Sequence, residues 1–411
     1  MKALQFRKSI PRYLLLKLAG PRLRRLYTSS ASPVAYREID EQKLPTPSWV
    51  RIRPILAGVC GSDLSTICAK GSPYLAPVTS MPFVMGHELV GRVVEIGDDV
   101  KNVSVGARVV LHPALGCHVR GMDPMCDACQ NGRDALCSNI TRGSISAGIQ
   151  SGFCRDTGGG FSASMVAHQS QVYAIPDEIP DEQAVLVEPF ACALHGALRA
   201  TIASNQTALV VGCGSIGLLT IAALRATGCQ AKIVAVGKYD HQIRLGDSLG
   251  VNEWIPSGGG MADRYTKWAN VLNAEVLPAE LGKPMVIGGA DVTFDCVGSS
   301  HTIDDGIRFT KSGGTFVLVG MPGAPRGVDW TPLWFKELTL CATYAYGPER
   351  WADGKRDTFD LTIDLMKTWG PKLVKLVGPA FALRDYQAAF RSALHTGSTG
   401  IAKTIFRIDD K

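Results

Sequence analysis

Residues 207–224 read TALVVGCGSIGLLTIAAL, and the order of residue types dictates a strand, a glycine turn and a helix. The apolar run at 208–211 suits a buried strand. Gly212, Gly214 and Gly217 then fall in the spacing G-x-G-x-x-G, with an apolar helical stretch behind them. In that setting the first glycine permits a tight turn, the second lets a pyrophosphate approach the backbone, and the third allows helix and strand to pack closely. Ser215 and Ile216 stand at the helix N-terminus, where free N–H groups and positive potential favour phosphate. A glycine turn in a non-binding α/β domain is the competing reading. The second strand AKIVAVG, about twenty residues on, favours the dinucleotide site.

Working outward, apolar runs at 232–236, 292–295 and 315–319 alternate with helical stretches, which predicts a parallel doubly wound sheet. Residues 261–289 read as an irregular insertion. Towards the N-terminus the rhythm differs: short β-branched segments at 50–58, 89–96 and 108–112, each closed by a turn signal, predict a mostly β region. Beyond about residue 345 the pattern is mixed, with an amphipathic helix near 360–369 and a last strand at 404–408. The expected class is therefore α/β, with a first domain over 1–178, a doubly wound domain over 179–343, and a return to the first over 344–411.

The end of the second strand departs from the usual dinucleotide site. An acid normally stands there to accept the ribose 2′-hydroxyl of NAD; this chain has Gly237, then Lys238 and Tyr239. Loss of the acid removes repulsion against a 2′-phosphate and Lys238 adds attraction, so NADP is expected, with NAD as the alternative. Asp240 argues the other way if the turn bends towards it.

The formal charge of +6 is concentrated at one end. Residues 1–37 hold nine Lys or Arg and no acid, and the remainder carries 34 bases against 37 acids. A nucleic-acid surface would need basic clusters across the folded body, so none is expected. The basic opening reads either as an organelle transit peptide, Arg-rich with Thr28, Ser29 and Ser30 behind it, or as a first strand at 1–6 and a short basic helix at 10–18. The second is the reading adopted, with a cytoplasmic location. No apolar run approaches the ~20 residues of a membrane span, and no membrane partner is expected.

Four of the twelve cysteines, Cys117, Cys126, Cys129 and Cys137, lie close together in the sequence and the rest are scattered. With no secretory signal, such a cluster reads as metal binding in a reducing compartment. A second metal constellation lies upstream. Cys60 in AGVCGSDLSTI and His87 in MGHELVGRVVEIGDDV are good zinc donors from separate segments, each followed by an acid. Lone core roles for Cys60 or His87 do not explain Gly86, Glu88, Gly91 and Gly97 arriving together.

On these motifs the chain resembles the zinc-containing medium-chain alcohol and polyol dehydrogenases over nearly its whole length. Gly86-His87-Glu88-x-x-Gly91-x5-Gly97-x-x-Val100 matches that family's zinc signature, and Cys60–Asp63 its first-ligand motif. The resemblance implies a GroES-like β domain with a Rossmann domain inserted, and a hydride transfer between NAD(P) and a secondary alcohol, polyol or carbonyl substrate. It further implies catalytic zinc on Cys60 and His87, Ser62 as the hydroxyl passing the substrate proton, and Asp63 as the acid orienting His87. Ser65 stands where many relatives have a relay histidine. The VEPFACALH segment supplies Glu188, as in the sorbitol- and threonine-dehydrogenase-like branch, so Glu188 and Glu88 share the remaining metal position. Glu188 before Pro189 would also suit a plain helix start.

The cysteine cluster resembles the family's structural zinc lobe with one departure: the family's first cysteine falls on Asp123. Either Asp123 donates an oxygen or Cys117 reaches across a longer loop, and zinc's preference for thiolates favours Cys117. A homodimer or homotetramer is expected by the same resemblance. The rival functions are a non-catalytic dinucleotide-binding protein on this fold and a zinc-free quinone or enoyl reductase. The substrate-pocket wall is expected among residues 143–160, 330–334 and 344–346.

Overall fold

The computed structural model describes residues 1–352 and 354–408. Two compact units divide it: Met1–Glu188 with Tyr346–Lys411, and Pro189–Ala345.

In the first unit a seven-stranded sheet runs Val377–Ala382, Lys403–Arg407, Trp49–Gly58, Glu88–Ile96, Arg108–Leu111 and Val172–Ala174, with Met165–His168 also paired to Trp49–Gly58. The central strand alternates as a half-buried strand should: Val50 and Ile52 are buried while Arg53 is exposed. Its far end has neighbours on both sides, so Gly58 pairs with Glu88 in one strand and Ile405 in the other. That register brings three separate stretches of sequence to one point. The core beneath includes Leu89, Phe161, Phe390 and Phe406, with Phe161 and Phe406 edge to face at 4.8 Å.

Lys2–Phe6 is a working strand of a smaller sheet, between Val34–Glu38 and Phe83–Val84. The basic stretch after it is thus part of the folded unit, beginning with the helix Ile10–Ala19.

The second unit is a six-stranded parallel sheet in the order Glu253–Pro256, Lys232–Gly237, Thr207–Val211, Ala290–Asp295, Thr310–Leu318, Thr339–Ala342. Strand order reverses beside Thr207–Val211, the switch point at which such sheets bind ligands. Residues 261–289 are not irregular as expected. They form the helix Met261–Leu272 and the hairpin Glu275–Leu277/Met285–Ile287. The helical period was present: Tyr265, Trp268, Ala269 and Leu272 recur three and four apart, all are buried, and the two rings lie 5.1 Å from Phe309. Polar residues between them masked the stripe. An ion cluster helps fix the insertion, with the Lys283 ammonium 2.8 Å from Asp305 and Arg264 3.0 Å from the same carboxylate.

Among the described residues, no helix is long and apolar enough to cross a membrane.

Candidate metal centres and nucleotide loop

Cys60 caps the helix Gly61–Ile67, and the cap fixes its position: its backbone N–H donates to Asp63 Oδ2 at 2.9 Å. His87 arrives from the turn before Glu88–Ile96, and Glu88 is that strand's first residue. One donor atom from each of Cys60, His87 and Glu88 falls within 4.8 Å of the others. Ser62 Oγ stands 3.4 Å from His87 Nε2. Glu188, in the first turn of the helix Val187–Ala197, is buried and accepts a 2.9 Å bond from the Tyr346 hydroxyl.

Asp63 Oδ1 and His87 Nδ1 are 4.0 Å apart, too far for a hydrogen bond, and both atoms are buried without a partner. Asp63 therefore acts on His87 through its charge in this arrangement.

Sequence reasoning missed one residue here. Lys403 heads the last strand, is 2 % exposed, pairs with the Glu88 carboxylate and donates to Val59 O at 3.1 Å. A Cβ on Gly58 would strike that carboxylate and approach Lys403 Cε to 2.8 Å, so only glycine lets the pair close over the strand. A lysine leading the apolar run Thr404–Ile405–Phe406 was the available signal.

The electrostatics show a site short of positive charge. Burial pushes Asp63 up to about 6 and, against His87 and the Tyr346 bond, Glu188 up to about 7. Burial opposes a charge on His87, yet Cys60, Asp63 and Glu188 outweigh it and raise its pKa to about 10. Lys403 is likewise raised, Glu88 and Cys60 overcoming burial. Cys60 and three acidic side chains thus face one lysine, and together they favour a proton on the imidazole. A dication on soft and borderline donors relieves that imbalance, so the residues fit zinc.

The cysteine lobe fits as well. Its four sulfurs lie within 4.8 Å of one another and none forms a disulfide. Cys117 Sγ is 3.6 Å from Cys126 Sγ and 3.7 Å from Cys137 Sγ, and the last two are 3.9 Å apart. Tetrahedral zinc with arms of about 2.3 Å requires sulfurs about 3.8 Å apart. Backbone amides donate into the lobe, Cys126 N to Cys117 Sγ and Asn139 N to Cys137 Sγ, both at 3.3 Å. Against burial, such amides hold Cys126 down at about 5, while burial pushes Cys137 up to about 11. Asp123 is exposed and outside the group; Cys117 is the residue brought in.

In the second unit Gly212 has φ +94°, closed to most side chains, and a Cβ on Gly217 would run into Gly212 O. Gly214 caps the helix Ser215–Ala226, and a Cβ there would meet nothing within 4 Å. The loop is tight at both ends and open in the middle, as a phosphate cradle must be. Gly237 is different from what its sequence position suggests. Its Cβ position is taken by the Trp254 ring at 2.8 Å, so the place of the usual acid is filled rather than vacant. Lys238 is exposed with its ammonium 5.2 Å from the Tyr239 ring centre. Of the expected pocket wall, Tyr346 holds Glu188, while exposed Trp330 precedes the short helix Thr331–Phe335 of the second unit and exposed Trp334 lies within it.

Residues 46–177 match the alcohol dehydrogenase GroES-like domain and residues 215–359 the zinc-binding dehydrogenase domain. L-idonate 5-dehydrogenase of Vitis vinifera is 28% identical over 359 residues, 86% of each chain. A Saccharomyces cerevisiae protein named "probable diacetyl reductase [(R)-acetoin forming] 2" is 30% identical over 317 residues, 74% of this chain and 70% of its own. The crystal structure of 2R,3R-butanediol dehydrogenase from Bacillus subtilis superposes with a TM-score of 0.70 at 25% identity, covering 99% of both chains. The chain belongs to the zinc-binding alcohol dehydrogenase family, and it is a zinc-dependent oxidoreductase with a GroES-like domain and a Rossmann domain.

Proposed function

We propose that this enzyme interconverts a secondary alcohol or polyol and its carbonyl, with Cys60 and His87 as the core of the catalytic zinc site. The observation that carries the reading is the convergence of half-buried Cys60 with buried His87 and Glu88 at a point deficient in positive charge. When bound, zinc acidifies the substrate hydroxyl or polarises the carbonyl, and the nicotinamide accepts or returns the hydride.

The chain's own residues do the rest. Cys60 and His87 are preset donors, because the helix cap fixes one and a strand start fixes the other. Tyr346 orients Glu188, and Lys403 ties down Glu88, so the two carboxylates that share the remaining position are held by different partners. Ser62, half-buried beside the imidazole, passes the substrate's hydroxyl proton outward. With Ser65 in place of a relay histidine, that proton continues to water. Gly212, Gly214 and Gly217 with Ser215 and Ile216 receive the pyrophosphate. Lys238 pairs with a ribose 2′-phosphate, which makes NADP the preferred cofactor and NAD the alternative. Cys117, Cys126, Cys129 and Cys137 hold a structural zinc.

The two rival functions both lack a use for a converging thiol–imidazole–carboxylate cluster. The test is turnover on a panel of secondary alcohols, polyols and aldehydes with both cofactors. Cys60→Ser and His87→Ala should abolish turnover while dinucleotide binding persists. Wild-type rates in a variant whose zinc content has fallen would refute the assignment.

A further inference from the structure

The helix Ile10–Ala19 and the turn behind it carry chemistry that the hydride transfer does not use. Ile10, Leu14 and Leu18 recur every four residues and so lie along one line of the helix, with Leu15 beside them. They are 61%, 50%, 73% and 44% exposed. Leu16 is the helix's buried residue, and Gly20 behind it packs against the Tyr27 ring. A surface helix ordinarily turns its apolar stripe to the core. This one is docked through a single leucine with its apolar ridge outward, and Leu23 continues the exposed apolar surface.

The cations around the ridge are equally unusual. Arg7, Lys8, Arg12, Lys17, Arg22, Arg24 and Arg25 are all exposed. Arg12 donates to Ser32 O and Lys17 to Ala69 O, both backbone acceptors. Among the described residues no carboxylate forms an ion pair with any of the seven, and no acid occurs before Glu38.

We propose that residues 7–25 form a docking surface for an anionic lipid bilayer, on which the helix lies with Ile10, Leu14, Leu15 and Leu18 among the acyl chains. An aliphatic ridge flanked by Lys and Arg is the pattern of a helix that rests in the interface plane. Other occupants satisfy only half of it. A nucleic-acid backbone would neutralise the cations and leave a row of leucines in water. A second copy of the same face would bury the leucines and set seven cations against seven. The acyl chains and phosphates of an anionic bilayer meet both needs at once. This amends the expectation of no membrane partner: the helix is too short to span, and lying on a surface requires no span.

The test uses the full chain in vesicle co-sedimentation. The wild type should pellet with phosphatidylglycerol-containing vesicles and stay in solution with pure phosphatidylcholine, and high salt should release it. Leu14→Glu with Leu18→Glu should reduce partitioning at least tenfold. Arg22→Gln, Arg24→Gln and Arg25→Gln should each weaken it about fivefold, from about 1 kcal/mol per cation near the surface. All these positions are exposed, so thermal midpoint and zinc content should match the wild type and exclude misfolding as the cause. Failure of the wild type to bind anionic vesicles would overturn the proposal. So would binding unchanged by the two glutamates, since a plain polyanion patch or an acidic protein groove would explain that instead.

Discussion

Lys403→Met tests how the centre is balanced. The ammonium and the Glu88 carboxylate are 2 % and 1 % exposed and face each other directly. Removing one partner of such a pair leaves a buried, uncompensated charge and typically costs about 3–5 kcal/mol. For a domain of this size that corresponds to a fall in Tm of roughly 6–20 °C. Glu88→Gln added to Lys403→Met removes the stranded charge, so the double variant should recover at least about 2 kcal/mol relative to additivity.

Zinc supplies the control. With Lys403 gone, the carboxylates beside Cys60 still require positive charge, and a bound dication provides it. The Lys403→Met penalty should therefore be smaller in zinc-loaded protein than after chelation. The assay is thermal unfolding of four proteins, wild type, both single variants and the double, each with and without chelator. Additive single effects within about 0.5 kcal/mol would show that the two side chains do not act as a pair. A penalty independent of zinc would show that Lys403 is not part of the charge balance of the metal site.

Purified without chelator, the protein should carry about two zinc ions per chain, and Cys126→Ala should remove one while lowering stability more than turnover, measured by metal analysis beside kinetics. Lys238→Ala should weaken NADP binding about tenfold or more and leave NAD nearly unchanged; equal losses for both would remove the lysine from the 2′-phosphate site. Gly237→Asp should destabilise the fold before it alters cofactor choice, because the Trp254 ring occupies the space, and a lowered Tm checks this. His168, packed on Trp49, has its pKa pushed down to about 4 by burial and by His118. The unfolded chain binds that proton first, so stability should fall as pH drops from about 6.5 towards 4, and His168→Gln should flatten the decline in urea midpoints.

What was legible in the sequence was local. The glycine turn at Gly212, the alternation of the central β strand and the cluster of four cysteines each declare themselves locally, and the fold class follows from the first two. Other features depend on partners brought together only by folding. Lys403 bonds to Val59 across 344 residues of chain, and nothing local marks it beyond one charge leading an apolar strand. The division between the two compact units falls after Glu188, within the helix Val187–Ala197, where no loop signal marks it in the sequence.

Gly237 carries the same lesson into function. An acid is missing there, and in one dimension its absence reads as room made for a phosphate. In the folded chain the room belongs to Trp254, seventeen residues on and one strand over, which pairs beside Ala235 in the parallel sheet. The glycine is thus accounted for by packing, whichever cofactor binds. A preference for NADP then rests on Lys238 alone, whose ammonium is exposed and, among the described residues, forms no ion pair with a carboxylate. For that reason the Lys238→Ala comparison decides the cofactor, and the Gly237→Asp variant does not.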